Sequence, residues 1–170
     1  GKTTAFNLVT GFTRTDSGSV RFQGEDVTRR GPDQLARAGM VRTFQLTKTL
    51  GRMTVLDNVL LAGKDQTGEG FWRALAPFTW RDQEATNVER ARDLLARFKL
   101  DHLTDEYAAG LSGGQRKLLE MARALMVEPH MVMLDEPMAG VNPALTQSLL
   151  GHIKDLRKDG VAILTLGQYL

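Results

Sequence analysis

The sequence is 170 residues long, enough for one domain with a buried core, and its 42% hydrophobic and 25% charged content is that of a folded globular chain. Lys and Arg (22) are interleaved with Asp and Glu (20), and a net charge of +2 is too small to mark a nucleic-acid binder. The absence of cysteine excludes disulfides and thiolate metal sites, and no apolar run approaches the roughly 18 residues that span a bilayer, so any membrane association is expected to go through a partner.

The chain opens on Gly1-Lys2-Thr3-Thr4 without an initiator Met, and is expected to be a fragment. These residues match the last positions of the phosphate loop G-x-x-x-x-G-K-[ST], where the lysine reaches the β- and γ-phosphates and the first hydroxyl binds Mg²⁺. Ala5, Phe6, Leu8 and Val9 continue as a short helix stopped at Gly11. Asp16-Ser17-Gly18 is a turn, and Ser19 to Gly24 alternates like a half-buried strand before another turn. A short helix over Asp33 to Ala38 follows Pro32. Met40-Val41-Arg42-Thr43-Phe44 reads as a strand ending on Gln45. Thr54 caps a helix to Ala62 whose apolar face is Val55, Leu56, Val59 and Leu60.

Residues 64–81 change character: Lys64 to Gly70 is polar and glycine-rich, and Phe71, Trp72, Phe78 and Trp80 crowd together. Packing inside a helical subdomain and a partner surface both account for such aromatics. An amphipathic helix follows from about Asp82 to Phe98, with Val88, Ala91, Leu95 and Phe98 along one face.

Leu111-Ser112-Gly113-Gly114-Gln115 comes next. Adjacent glycines weaken a helix interior but suit its entrance, where outward N–H groups and the macrodipole favour an anion. Leu118, Met121, Ala122 and Leu125 recur at helical spacing, placing a helix from near Gly113 to about Val127. Ser112 as a plain N-cap with no ligand is the alternative. The apolar run His130 to Leu134 fits a central parallel strand covered on both faces, and it ends in Asp135-Glu136-Pro137. Carboxylates there lie where parallel sheets bind ligands, Asp135 suited to Mg²⁺ through water and Glu136 to the attacking water; a surface turn is the alternative. Pro143 opens a helix with Leu145, Leu149, Ile153 and Leu156 on its buried face, stopped at Gly160, and Val161 to Leu166 is another buried-strand candidate. Strand, helix and strand form a βαβ unit, so the core is α/β with a parallel sheet.

As a set, these motifs resemble the ATP-binding subunit of an ABC transporter. Gly1-Lys2-Thr3-Thr4 is similar to the end of that family's Walker A loop, Thr43-Phe44-Gln45 to its Q-loop, and Leu111 to Gln115 to its signature motif. Met131 to Glu136 is similar to the Walker B strand with its glutamate, and Ala139-Gly140-Val141-Asn142 to the D-loop, with Asn142 where most members carry Asp. The flanks of the signature and of Asp135-Glu136 look closest to the branched-chain amino acid importers.

The resemblance implies a P-loop NTPase (RecA-like) core lobe, residues 1–63 and 127–170, and an α-helical signature subdomain, residues 64–126. It implies an ATP hydrolase of an importer, at the cytoplasmic face of the membrane, with ATP and Mg²⁺ as ligands. Lys2, Thr3, Thr4, Gln45 and Asp135 would surround phosphates and Mg²⁺, with Thr3, Gln45 and Asp135 toward the metal and Gly1 beside them. Glu136 would act on water. Ser112, Gly113, Gly114 and Gln115 would hold the γ-phosphate bound by a second cassette, identical or not. Further implied partners are transmembrane permease subunits and, through them, a substrate-binding protein; nucleic acid is not among them.

One position departs from the family pattern. A switch histidine is expected just past the last strand, and Gly167-Gln168-Tyr169 stands there instead; Gln168 can donate a hydrogen bond but carries no charge. His102, His130 and His152 lie elsewhere. Two other functions therefore stand beside the importer: a nucleotide-binding half with weak hydrolysis, and a non-transport ABC ATPase acting on DNA or the ribosome. The long heptad run usual in the latter is absent between Gln45 and Leu111.

Overall fold

The computed structural model describes residues 1–43, 49–63, 77–135 and 143–166. It divides into two compact units, one made of Gly1–Gln45, Pro129–Ala139 and Ile153–Leu170, the other of Leu46–Glu128 and Gly140–His152.

The first unit is built on a parallel sheet in the order β3-β4-β5, with β3 Met40–Thr43, β4 Met131–Asp135 and β5 Ala162–Leu166. Met40 pairs with Met131 and Met131 with Ala162, so the three strands start level. Val132, Met133 and Leu134 are all buried whichever way they point, which is why β4 reads as a continuous apolar run. The expectation of a buried β5 is corrected: Ala162 is exposed and Leu164 is 44% exposed. Among the described residues β5 pairs on one side only, so its apolar run is not enclosed as that of β4 is.

Helix α1 (Lys2–Val9), the hairpin of β1 (Arg21–Phe22) and β2 (Glu25–Asp26), and α2 (Pro32–Arg37) complete this unit. Phe6, Phe22, Val27, Leu35, Met40 and Met133 form its core cluster. The expected strand Ser19–Gly24 is a two-residue strand followed by a hairpin turn, because Gln23 and Gly24 both take positive φ, 51° and 83°. Gly39 precedes β3 at φ +91°, and a Cβ there would meet the His130 ring at 2.6 Å. Glycine is required at that joint by conformation and by space.

The second unit packs α3 (Val55–Leu60), α4 (Pro77–Arg97) and α5 (Gly113–Met126) on one another. Residues 49–63, which the sequence reading groups with the core lobe, fall in this unit, where α3 lies against α4 and α5. Buried residues are Val55 and Val59 of α3, Ala91, Leu94 and Leu95 of α4, then Phe98, and seven positions of α5 from Leu118 to Met126. The sequence misses Asn58, which is fully buried while Leu56 and Leu60 are not. Its Oδ1 accepts from the Leu50 N–H at 2.9 Å, and its Nδ2 donates to the carbonyls of Leu50 (3.1 Å) and Thr54 (2.9 Å). Helix α4 begins at Pro77, five residues before the expected Asp82, so the backbone of Phe78 and Trp80 is helical. Phe71 and Trp72 lie outside the described residues. Helix α6 (Pro143–Lys158) links β4 to β5 as expected, with Ile153 and Leu156 buried and Gly160 at φ +85° behind it.

Candidate functional site

Three places gather the candidate residues. Gly1 precedes α1, and Lys2, Thr3 and Thr4 are its first turn, with both threonine side chains exposed. The turn is anchored from behind, by Phe6 at 3% exposure and by Thr10, whose hydroxyl donates to the Phe6 carbonyl at 2.5 Å. The first amides of such a helix face outward with the positive end of the macrodipole.

The carboxyl edge of the sheet is the second place. Parallel register sets Thr43 level with Leu134 and Asp135 level with Leu166, so all three strands end along one edge. Ligands of parallel α/β sheets sit off that edge. Asp135 closes β4 there. Gln45, Glu136 and Gln168 follow the three strand ends within two residues, and they lie outside the described residues, as does the D-loop stretch Ala139 to Asn142.

The third place, in the second unit, is the entrance of α5. Ser112 is its N-cap: its Oγ accepts from the Gln115 N–H at 3.3 Å, and Gln115 Oε1 accepts from the Ser112 N–H at 2.9 Å. This reciprocal pair is a capping box. The Arg116 N–H donates to the Ser112 carbonyl at 2.9 Å. Of the first four amides of α5, those of Gly113 and Gly114 are left, and among the described residues nothing takes them. A Cβ built on Gly113 meets no atom within 4 Å, so the space in front of this turn is open. The serine hydroxyl has given one lone pair to the helix and keeps its proton to donate.

Sequence reasoning passed over Arg42. The strand reading of Met40 to Phe44 gives it no role, yet its Nη1 donates to Asn7 Oδ1 at 2.6 Å and to Thr10 Oγ1 at 3.4 Å, both on the α1 segment. No local signal announces a contact more than 30 residues away.

A three-stranded parallel sheet with helix α1 before it and α6 linking β4 to β5 fits the core of a P-loop NTPase. The chain belongs to the ABC transporter family, whose sequence profile matches residues 1–139. It is 46% identical over 164 residues to the probable branched-chain amino acid transport ATP-binding protein LivG of Archaeoglobus fulgidus, covering 96% of this chain and 63% of the relative. Against the corresponding LivG of Methanocaldococcus jannaschii the identity is 42% over 166 residues, covering 98% of this chain and 64% of the relative. The chain thus spans less than two thirds of the length of these curated relatives. Among solved structures it resembles an ATP-binding cassette of an ABC transporter in its ADP conformation, at 42% identity and TM-score 0.82, over 100% of this chain and 66% of that one. A nucleotide-free cassette gives 41% identity and TM-score 0.81, over 100% and 67%. Among the described residues no helix is long and apolar enough to cross a membrane.

Proposed function

We propose that this chain is the ATP-binding and hydrolysing part of an ABC importer subunit, driving uptake of a small solute such as a branched-chain amino acid through ATP-dependent pairing of two cassettes. The observation that carries this reading is the entrance of α5, with two unclaimed amides, a serine proton and open space before Gly113. Those are the requirements of an anion that arrives from outside the chain. The names of the LivG relatives support the transport role and the solute class.

In this reading Gly1, Lys2, Thr3 and Thr4 hold the phosphates of the chain's own ATP, with the ammonium of Lys2 toward the β- and γ-phosphates. Ser112, Gly113, Gly114 and Gln115 complete the site of the partner cassette. There Ser112 donates its hydroxyl proton and the glycine amides donate theirs to the γ-phosphate. Glu136 orients the attacking water and accepts its proton. Gln168 donates a hydrogen bond to the same phosphate without adding charge. Thr3, Gln45 and Asp135 offer hydroxyl, amide and carboxylate oxygens, a donor set that fits a hard cation taking its remaining ligands from phosphate and water. Mg²⁺ bound there would neutralise charge on the phosphates. The partners are a second cassette, transmembrane permease subunits and, indirectly, a substrate-binding protein, and the subunit works at the cytoplasmic face of the membrane.

The test uses Ser112→Asp in the intact protein. Aspartate caps a helix as well as serine, so the melting temperature is retained. Its carboxylate would meet the incoming phosphate, so ATP-dependent association is lost and turnover falls at least about a hundredfold. Association and turnover like the wild type's would overturn the reading, as would a wild-type protein that binds no ATP. ATP-driven uptake of leucine into vesicles holding the co-purified permease checks the solute class.

A further inference from the structure

We propose that Arg42 is a positioning residue, which sets the phosphate-binding turn of α1 against the strand pair that carries Asp135; this rests on the reading of Gly1–Thr4 and Asp135 as ATP-binding residues. Helix α1 has eight residues, too few to be stable by propensity, and must be held by what it packs on. Among its described side chains the one that is buried is Phe6. Phe6, with Val9 partly buried against the same core cluster, fixes depth but leaves the helix small freedoms to roll and slide.

Arg42 removes both freedoms. Its Nη1 donates to Asn7 Oδ1 at 2.6 Å and to Thr10 Oγ1 at 3.4 Å, and its guanidinium lies over the rings of Phe6 at 5.3 Å and Phe12 at 5.8 Å. Four side chains between residues 6 and 12 thus meet one planar cation. Asn7 is a poor helix former, so its place inside an eight-residue helix is explained by the oxygen it presents. Thr10 is 4% exposed, and its hydroxyl is oriented by its bond to the Phe6 carbonyl, leaving lone pairs for Arg42. At the other end of the lever, Arg42 is a rung of the sheet: it pairs with Met133, two residues before Asp135. The position of Lys2, Thr3 and Thr4 relative to Asp135 is therefore set by this guanidinium together with the core cluster that Phe6 shares with Met40 and Met133. Lysine would keep the charge but lose the fork and the ring contacts.

Two readouts in the intact protein test this. Hydrogen exchange of the Ala5 to Val9 amides should speed up in Arg42→Met while the α5 amides stay unchanged. ATP turnover of Arg42→Lys and Arg42→Met should fall in kcat by roughly ten- to a hundredfold, the size of a small misplacement of reacting groups, with KM for ATP shifting far less. Asn7→Asp, which gives a lysine ammonium a carboxylate to pair with, should restore most of the kcat lost in Arg42→Lys. Wild-type kcat in the Arg42 variants, a loss that only tracks the folded fraction, or a failed Asn7→Asp rescue would overturn the assignment of Arg42 alone. A wild-type protein with no ATP turnover would overturn the reading of the site and this role with it.

Discussion

Helices α3 and α5 lie in the same unit, begin with the same kind of cap, and treat their first amides in opposite ways. At α3, Thr54 Oγ1 accepts from Asp57 N–H at 3.0 Å, the Val55 and Leu56 amides donate to the carbonyls of Glu106 and Thr104, and the Asn58 amide donates to Thr54. Every donor of that entrance is consumed inside the unit. At α5 the serine cap takes one amide and its carbonyl another, and among the described residues no acceptor meets the amides of Gly113 and Gly114. In the proposed reading, the difference separates an end that is part of the architecture from an end that receives a phosphate. Glycine sharpens it: Gly39 answers to the His130 ring inside its own unit, whereas Gly113 answers to nothing within 4 Å. Glycine at this entrance relieves no internal clash, which is what the proposed external phosphate needs.

Three substitutions probe this contrast. Gly113→Leu should have the largest effect: turnover falls about a hundredfold or more because the side chain fills the approach to the amides. The melting temperature should hold or rise, since leucine is the better helix former. A drop in melting temperature with unchanged turnover would reverse the roles given to the two helices. Asn58→Leu should act on stability instead, by about 2–3 kcal/mol in urea unfolding, because it removes the hydrogen bonds by which the buried Asn58 holds Leu50 and Thr54. Turnover per folded molecule should stay near wild type. Thr54→Ala is the smallest, about 1 kcal/mol for the lost cap, again without a change in turnover. If it reduced turnover as Gly113→Leu does, α3 would belong to the site as well.

What could be read from the sequence follows the range of the interaction. The α5 cap, its start at Gly113 and its buried face depend on residues within a few turns, and the structure has them where the spacing places them. Strand β4 is legible because burial on both faces leaves no polar position in the run. Burial of β5 was not legible, since Val161 to Leu166 reads the same whether one neighbour or two enclose it. Asn58 stands between Val55 and Val59 like any polar surface residue, and only the return of residues 50–54 over α3 makes it a core residue. Arg42 is the same case across a longer span. At the sheet edge, register brings together strand ends that the sequence separates by dozens of residues, while the motif order had already marked the residues following them.

The pairing of Met40 with Met131 also has a bearing on how the molecule comes to exist. Two adjacent strands of one parallel sheet are separated by nearly the whole of the other unit, Leu46–Glu128. Closing so long a loop from an unstructured chain is slow and entropically unfavourable, while the contacts of α3, α4 and α5 lie within that run. During synthesis those helices emerge before β4 does, and can collapse while β3 waits unpaired. Early collapse of the helical run shortens the loop that β3 and β4 must close, and substitutions at the α3–α5 contact should be felt first in the yield of folded protein rather than in its chemistry.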